Sequence, residues 1–160
     1  MKTLLILLIS IVGFSTYYKV VGEYQTYGST IKLKADYTYE HKWSGHMIGG
    51  WSKGNWTIKN DTIHFEPILV YDTLRRVGQQ DSLLLSGSNG ATLIVADAEN
   101  EWYYPKRVGQ QTTNIPKKYF YKNDILYIVK KNGKLDLKKQ QDSFWINSPF
   151  YDPWYEKVKK

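Results

Sequence analysis

The chain has 160 residues, 42% of them hydrophobic and 23% charged, and a formal charge of +7. This balance excludes a disordered or fibrous chain and fits one globular domain with a core of its own. Cysteine is absent, which excludes disulfides, thiolate metal sites and a lipid-modified cysteine.

Residues 1–16 differ from the rest. Lys2 gives a short basic start, and Leu4 to Phe14 form an apolar run. That run has the length of a signal-peptide core and is short for a membrane span. Small residues stand at its end, Gly13 and Ser15. Residues 1–16 therefore read as an export signal, and residues 17–160 as a single β domain. The expected location is periplasmic or secreted; the alternative is membrane anchoring by an uncleaved N-terminal segment.

From Ile31 to Ser44 the odd positions are apolar or ring-bearing (Ile31, Leu33, Ala35, Tyr37, Tyr39, His41, Trp43), and the even positions are polar. Side chains alternate across a strand, so one face is buried and the other wet. The class this predicts is all-β and antiparallel. Ala35-Asp36 is the expected turn. Gly45, Gly49 and Gly50 suggest a loop or bulge region. Trp56 and Ile58 share a face, Asn60-Asp61 reverses the chain, and Ile63 and Phe65 return on the apolar side. Pro67 closes this hairpin or starts an edge, because it has no amide to donate to a central ladder.

Farther on, Ile68–Tyr71 is a short apolar run and Asp72–Gln80 reads as a polar loop. Ser82–Leu85 and Thr92–Ala96 predict a hairpin joined by Gly87-Ser88-Asn89-Gly90. Residues 97–116 have no period and contain two prolines, which suggests a long surface excursion. Lys118–Tyr121, Ile125–Val129 and Lys134–Leu137 predict a meander turning at Asn123-Asp124 and Asn132-Gly133. Asp152-Pro153 resembles a helix N-cap and first helical position, which allows a short C-terminal helix at most. Arg76-Val77-Gly78-Gln79-Gln80 recurs as Arg107-Val108-Gly109-Gln110-Gln111 and suggests equivalent loops in two halves of the fold.

Two of these pieces resemble a known group. The pattern Ile31-x-Leu33-x-x-Asp36-x-Thr38-Tyr39-x-His41, followed by Gly54-Asn55-Trp56-x-Ile58-x-x-Asp61-x-Ile63-x-Phe65, is similar to one in small exported lipocalin-like β proteins of Bacteroidetes-type bacteria. The resemblance covers about residues 20–66. It implies a meander curled into a barrel or split barrel, with the glycine allowing close approach and the tryptophan plugging one end. It implies no catalytic residues.

Residue chemistry favours binding over catalysis. Of the three histidines, His41 is on the ring-bearing face, His46 in the glycine-rich region and His64 on a polar face. They lack the spacing of a metal site, and no cofactor is expected. Asp97, Glu99 and Glu101 alternate but lack the glycine of a calcium loop, and read as solvated charge. No Gly-x-Ser-x-Gly elbow or phosphate loop is present. Asp36, Glu40, Glu66 and Asp72 could supply a carboxylate pair, but nothing selects among them.

The candidate ligand-binding residues are Tyr37, Tyr39, His41, Trp43 and Trp56, suited to an apolar, aromatic or glycan ligand. Residues 101–140 carry 10 basic and 3 acidic side chains. Lys106, Arg107, Lys117, Lys118 and Lys122 are thus a candidate patch for an anionic surface, while nucleic acid is not expected of an exported protein. The leading expectation is a non-enzymatic exported binding or scaffold domain whose partner is a small molecule, glycan or protein. The alternative is an exported hydrolase acting on a polymer.

Overall fold

A computed structural model describes residues 19–45, 49–88, 90–96, 108–111, 116–141 and 150–159. Eight strands form a closed antiparallel barrel: β1 (Gly22–Thr26), β2 (Ser29–Leu33), β3 (Thr38–Ser44), β4 (Gly49–Lys59), β5 (Thr62–Pro67), β10 (Lys118–Lys122), β11 (Ile125–Ile128) and β14 (Tyr155–Lys157). Each strand pairs with the next in this order, and β14 returns to β1 through Tyr24↔Lys157 and Gln25↔Glu156. The topology is a meander closed on itself, a lipocalin-like architecture that leaves no free edge in the ring.

The turn at 34–37 preserves parity, because Leu33 stands opposite Tyr39. Ile31, Leu33, Tyr39 and His41 consequently all enter the barrel, while Lys32 and Lys42 stay exposed. The aromatic interior is continuous. Tyr39 stacks on Phe65 at 4.2 Å, Phe65 meets Tyr119 at 5.2 Å, and Tyr119 meets Tyr155 edge-on at 5.7 Å. Such offset and edge arrangements add to the burial of the rings.

The two ends of the barrel differ. At one end the links are tight: 34–37, Asn60-Asp61 and Asn123-Asp124, the last four residues all with positive φ. Asn and Asp tolerate that left-handed conformation better than most side chains, which suits two-residue hairpins. Val20 plugs this end, fully buried, and its carbonyl accepts from the Tyr24 hydroxyl at 2.6 Å. Trp56 lies in the same layer, 1% exposed, its indole donating to the Lys34 carbonyl at 3.2 Å. Gly54 lets the chain cross closely, since a Cβ there would collide with the Glu66 carbonyl oxygen.

The long connections leave from the other end. Between β5 and β10, β6 (Tyr71–Arg76) pairs antiparallel with β7 (Ser82–Leu85) and parallel with β8 (Leu93–Ala96). Farther along, β9 (Val108–Gln110) runs parallel to the start of β4. That edge of β4 is open because β5 stops at Pro67, opposite Gly54. Between β11 and β14, β12 (Gln140–Gln141) pairs with β13 (Phe150–Tyr151).

Several expectations are corrected here. Gly49 and Gly50 are buried in β4 rather than in a loop. The supposed polar loop 72–80 begins as strand β6. β7 and β8 do not pair with each other, because β6 lies between them. The cause is Asp72, which is buried and accepts from Gly87 N, Thr92 N and Thr92 Oγ1 at 3.0, 2.9 and 2.9 Å. Its carboxylate holds the connection between β7 and β8 against β6. The third strand of the later meander is reduced to one bridge, Val129↔Leu135.

The C-terminal helix allowed at Asp152-Pro153 is replaced by β14. Pro153 is buried at the cavity rim and Tyr155 returns to the core, because the barrel needs an eighth strand to join β11 to β1. The two copies of the repeat also differ. Arg76–Gln80 makes a reversal with Gly78 at φ +75, whereas Val108–Gln110 is strand. Residues 1–16, His46, Asp97, Glu99, Glu101, Lys106 and Arg107 lie outside the described residues.

Candidate functional site: the open end of the barrel

A cavity of about 370 Å³ opens at the end opposite Val20 and Trp56. That lies at the small end of ligand pockets, which run from about 300 to 1,000 Å³. Its floor is polar. Ser29 on β2, His41 on β3 and Tyr155 on β14 meet there, inward-facing residues of strands whose other inward side chains form the core. Ser29 Oγ lies 2.8 Å from His41 Nε2 and 2.9 Å from Tyr155 Oη, and Tyr155 Oη lies 3.3 Å from His41 Nε2. Just inside the barrel, the Tyr39 hydroxyl bonds to Ser52 Oγ at 2.9 Å.

Burial sets the protonation of this floor. His41 is 4% exposed, and desolvation of the charged ring takes its pKa from 6.5 down to about 4. No neighbouring charge contributes, so the imidazole is neutral at physiological pH. Desolvation also raises Tyr155, chiefly, and keeps its phenol protonated. His41 Nδ1 is buried without a hydrogen-bond partner.

The walls carry rings and apolar groups. Trp43 on β3 forms one side, its indole packed over Gly50, where a Cβ would come within 2.7 Å of its nitrogen. Tyr27 from the β1–β2 turn stacks on Tyr151 of β13 at 4.8 Å and 21°. Pro116, Ile128 and Pro153 complete the apolar part. Gln110 on β9, which pairs with β4, fastens the segment that leads from β5 to β6. Its side-chain amide accepts from Val70 N at 2.7 Å and donates to the Ile68 carbonyl at 2.5 Å, taking the place of a peptide group.

Of the residues singled out from sequence, only His41 and Trp43 line this cavity. Tyr39 belongs to the core beneath it. Trp56 plugs the far end, and Tyr37 is exposed in the turn there with its ring 5.4 Å from Trp56. Sequence reasoning missed Ser29, Tyr27, Tyr151 and Tyr155. A period-2 reading of β2 extended back from Ile31 would have put Ser29 on the inner face, but nothing local pairs it with residue 155.

Among the patch residues, Lys118 and Lys122 share the exposed side of β10 with Phe120 between them, and Lys117 is exposed just before the strand. Among the described residues no group of three His, Asp and Glu side chains converges on a possible metal position, and no helix is long and apolar enough to cross a membrane.

Fold and site together define a class: an eight-stranded up-and-down β-barrel, plugged at one end and carrying a ring-walled cavity at the other. No protein-family model matches the chain, nor does any curated protein or solved structure.

Proposed function

We propose that this is a non-enzymatic exported binding protein that holds a small apolar, aromatic or glycan ligand in the mouth of its barrel. The observation that carries this reading is the cavity itself: about 370 Å³, with Trp43 and the Tyr27–Tyr151 stack above a hydrogen-bonding floor. Aromatic walls with a few placed polar groups are the usual make-up of a ligand pocket. Mass spectrometry of protein purified natively from its own cell tests it. A small molecule should be released on denaturation, and Trp43→Ala should reduce the amount recovered. Material that is ligand-free from the native source, with no gain in unfolding temperature on exposure to a cell extract, would count against it.

One observation favours the hydrolase reading: the Ser29 hydroxyl and the His41 imidazole are at nucleophile–base distance. Two others weigh against it. Nothing holds Nδ1, so no third group orients the ring, and the Ser29 hydroxyl also faces the Lys42 carbonyl at 3.2 Å. Turnover of p-nitrophenyl acetate that is abolished in Ser29→Ala would favour the enzyme.

Export belongs to the same proposal. It is supported by the basic start and the short apolar run of residues 1–16. Intact-mass analysis of the mature protein should find that segment missing; full-length protein in the cytoplasm would refute export.

A further inference from the structure

Among the described residues, no charged side chain lines the cavity. The chain has 22 basic and 15 acidic residues. Yet the described lining of the cavity includes no Asp, Glu, Lys or Arg. Parity accounts for part of this. On β2 and β3 the charged residues Lys32, Glu40 and Lys42 occupy the positions between Ile31, Leu33, Tyr39, His41 and Trp43, so they face outward. The one titratable base in the floor, His41, is enclosed by Ser29 and Tyr155, with Ser52 opposite it on β4 and Ile31 on β2. None of these carries charge near neutral pH.

We infer that the cavity selects an uncharged ligand, one with an apolar or aromatic body and a hydroxyl or carbonyl at one end. The inference rests on reading the cavity as a binding site and deepens it. A carboxylate or ammonium brought to this floor would lose its hydration and meet no counter-charge. A neutral hydroxyl or carbonyl loses much less. The floor can serve either, because the hydroxyls of Ser29 and Tyr155 can donate or accept at His41 Nε2, which leaves both imidazole tautomers available. Nδ1, buried without a partner, leaves the floor one hydrogen bond short. The body of the ligand then lies between Trp43 and the Tyr27–Tyr151 stack, where its faces meet rings.

The test uses three probes of one shape and different charge: 2-naphthol, 2-naphthoate and 2-naphthylmethylammonium. Each is titrated calorimetrically into the full chain at pH 7. The expected result is binding of 2-naphthol, with both charged probes at least tenfold weaker. Trp43→Ala should weaken 2-naphthol binding about tenfold while leaving the unfolding midpoint close to that of the parent. A charged probe that binds as tightly as 2-naphthol overturns the selection for neutral ligands while the cavity stands as a site. Binding of 2-naphthol that is indifferent to Trp43→Ala puts the probe elsewhere and overturns the inference. No binding by any of the three removes the pocket reading on which it rests.

Discussion

Trp56 and His41 show how differently a ring serves at the two ends of the barrel. Trp56 fills the plugged end, and its one polar atom is satisfied by the Lys34 carbonyl. Truncation leaves a cavity that tight turns on either side cannot collapse into. Trp56→Ala should therefore cost about 3–5 kcal/mol. A chemical denaturation series checks this, and a loss below about 1 kcal/mol would mean the indole is not part of the core. His41 sits in the polar layer and pays for its place in protonation. The folded protein holds it neutral down to about pH 4, whereas the unfolded chain takes up a proton near pH 6.5. The stability its neutral burial allows is fully present above pH 6.5 and is lost as pH falls from there to about 4, a change on the order of 3 kcal/mol. Below that both states are protonated and the dependence ends. His41→Gln cannot titrate, so its unfolding free energy should be flatter across the same window. An equally steep fall in the variant would assign the acid sensitivity to other groups.

Among the elements, the β6–β7–β8 sheet depends on one buried carboxylate. Asp72→Ala would leave Gly87 N and Thr92 N without their acceptor, and hydrogen bonds to a charged group contribute about 1.5–3 kcal/mol each. Because this sheet is an excursion from the barrel, the loss should be local. Hydrogen exchange of the β8 amides should accelerate in the variant while Ile31 and Leu126, in the ring, keep their protection. Equal loss in both would mean that the excursion and the barrel unfold as one unit. The same sheet marks the limit of what was legible. The hairpins β2–β3, β4–β5 and β10–β11 could be read because alternation and turn residues both lie within a dozen positions. β6 could not, since its sequence Tyr-Asp-Thr-Leu-Arg-Arg is polar at Asp72 for a tertiary reason. The Asp-Pro pair at 152–153 reads locally as a helix start, and the demand for an eighth strand overrides it.

At the scale of the whole molecule, the charge balance is a surface property. Lys118 and Lys122 on β10 are four residues apart, about 13 Å along an extended strand. This exceeds the screening length of about 8–10 Å near physiological ionic strength. Within the described residues Lys122 should thus act nearly independently of the adjacent pair Lys117 and Lys118 on an anionic surface. Changing Lys122 to Gln, and changing the pair to Gln, should lower the salt needed for elution from a heparin-type column by small, additive steps. A collapse of retention on the first substitution would instead indicate a cooperative patch.

The sequence by itself determined the class of fold and the inward and outward faces of the main hairpins. Both follow from side-chain alternation and turn chemistry, which act between near neighbours, whereas the roles of Gly54 and Trp56 were expected only from the resemblance. Closure of the ring and the site at its mouth were decided only by the tertiary structure. Ser29 bonds to Tyr155 across 126 positions, Thr26 to the Asp152 carbonyl across the same span, and Val70 to Gln110 across 40. No local pattern encodes such pairs, because each member is an ordinary polar or aromatic residue on its own strand. They meet only when β14 pairs with β1 and brings Tyr155 over Ser29 of β2.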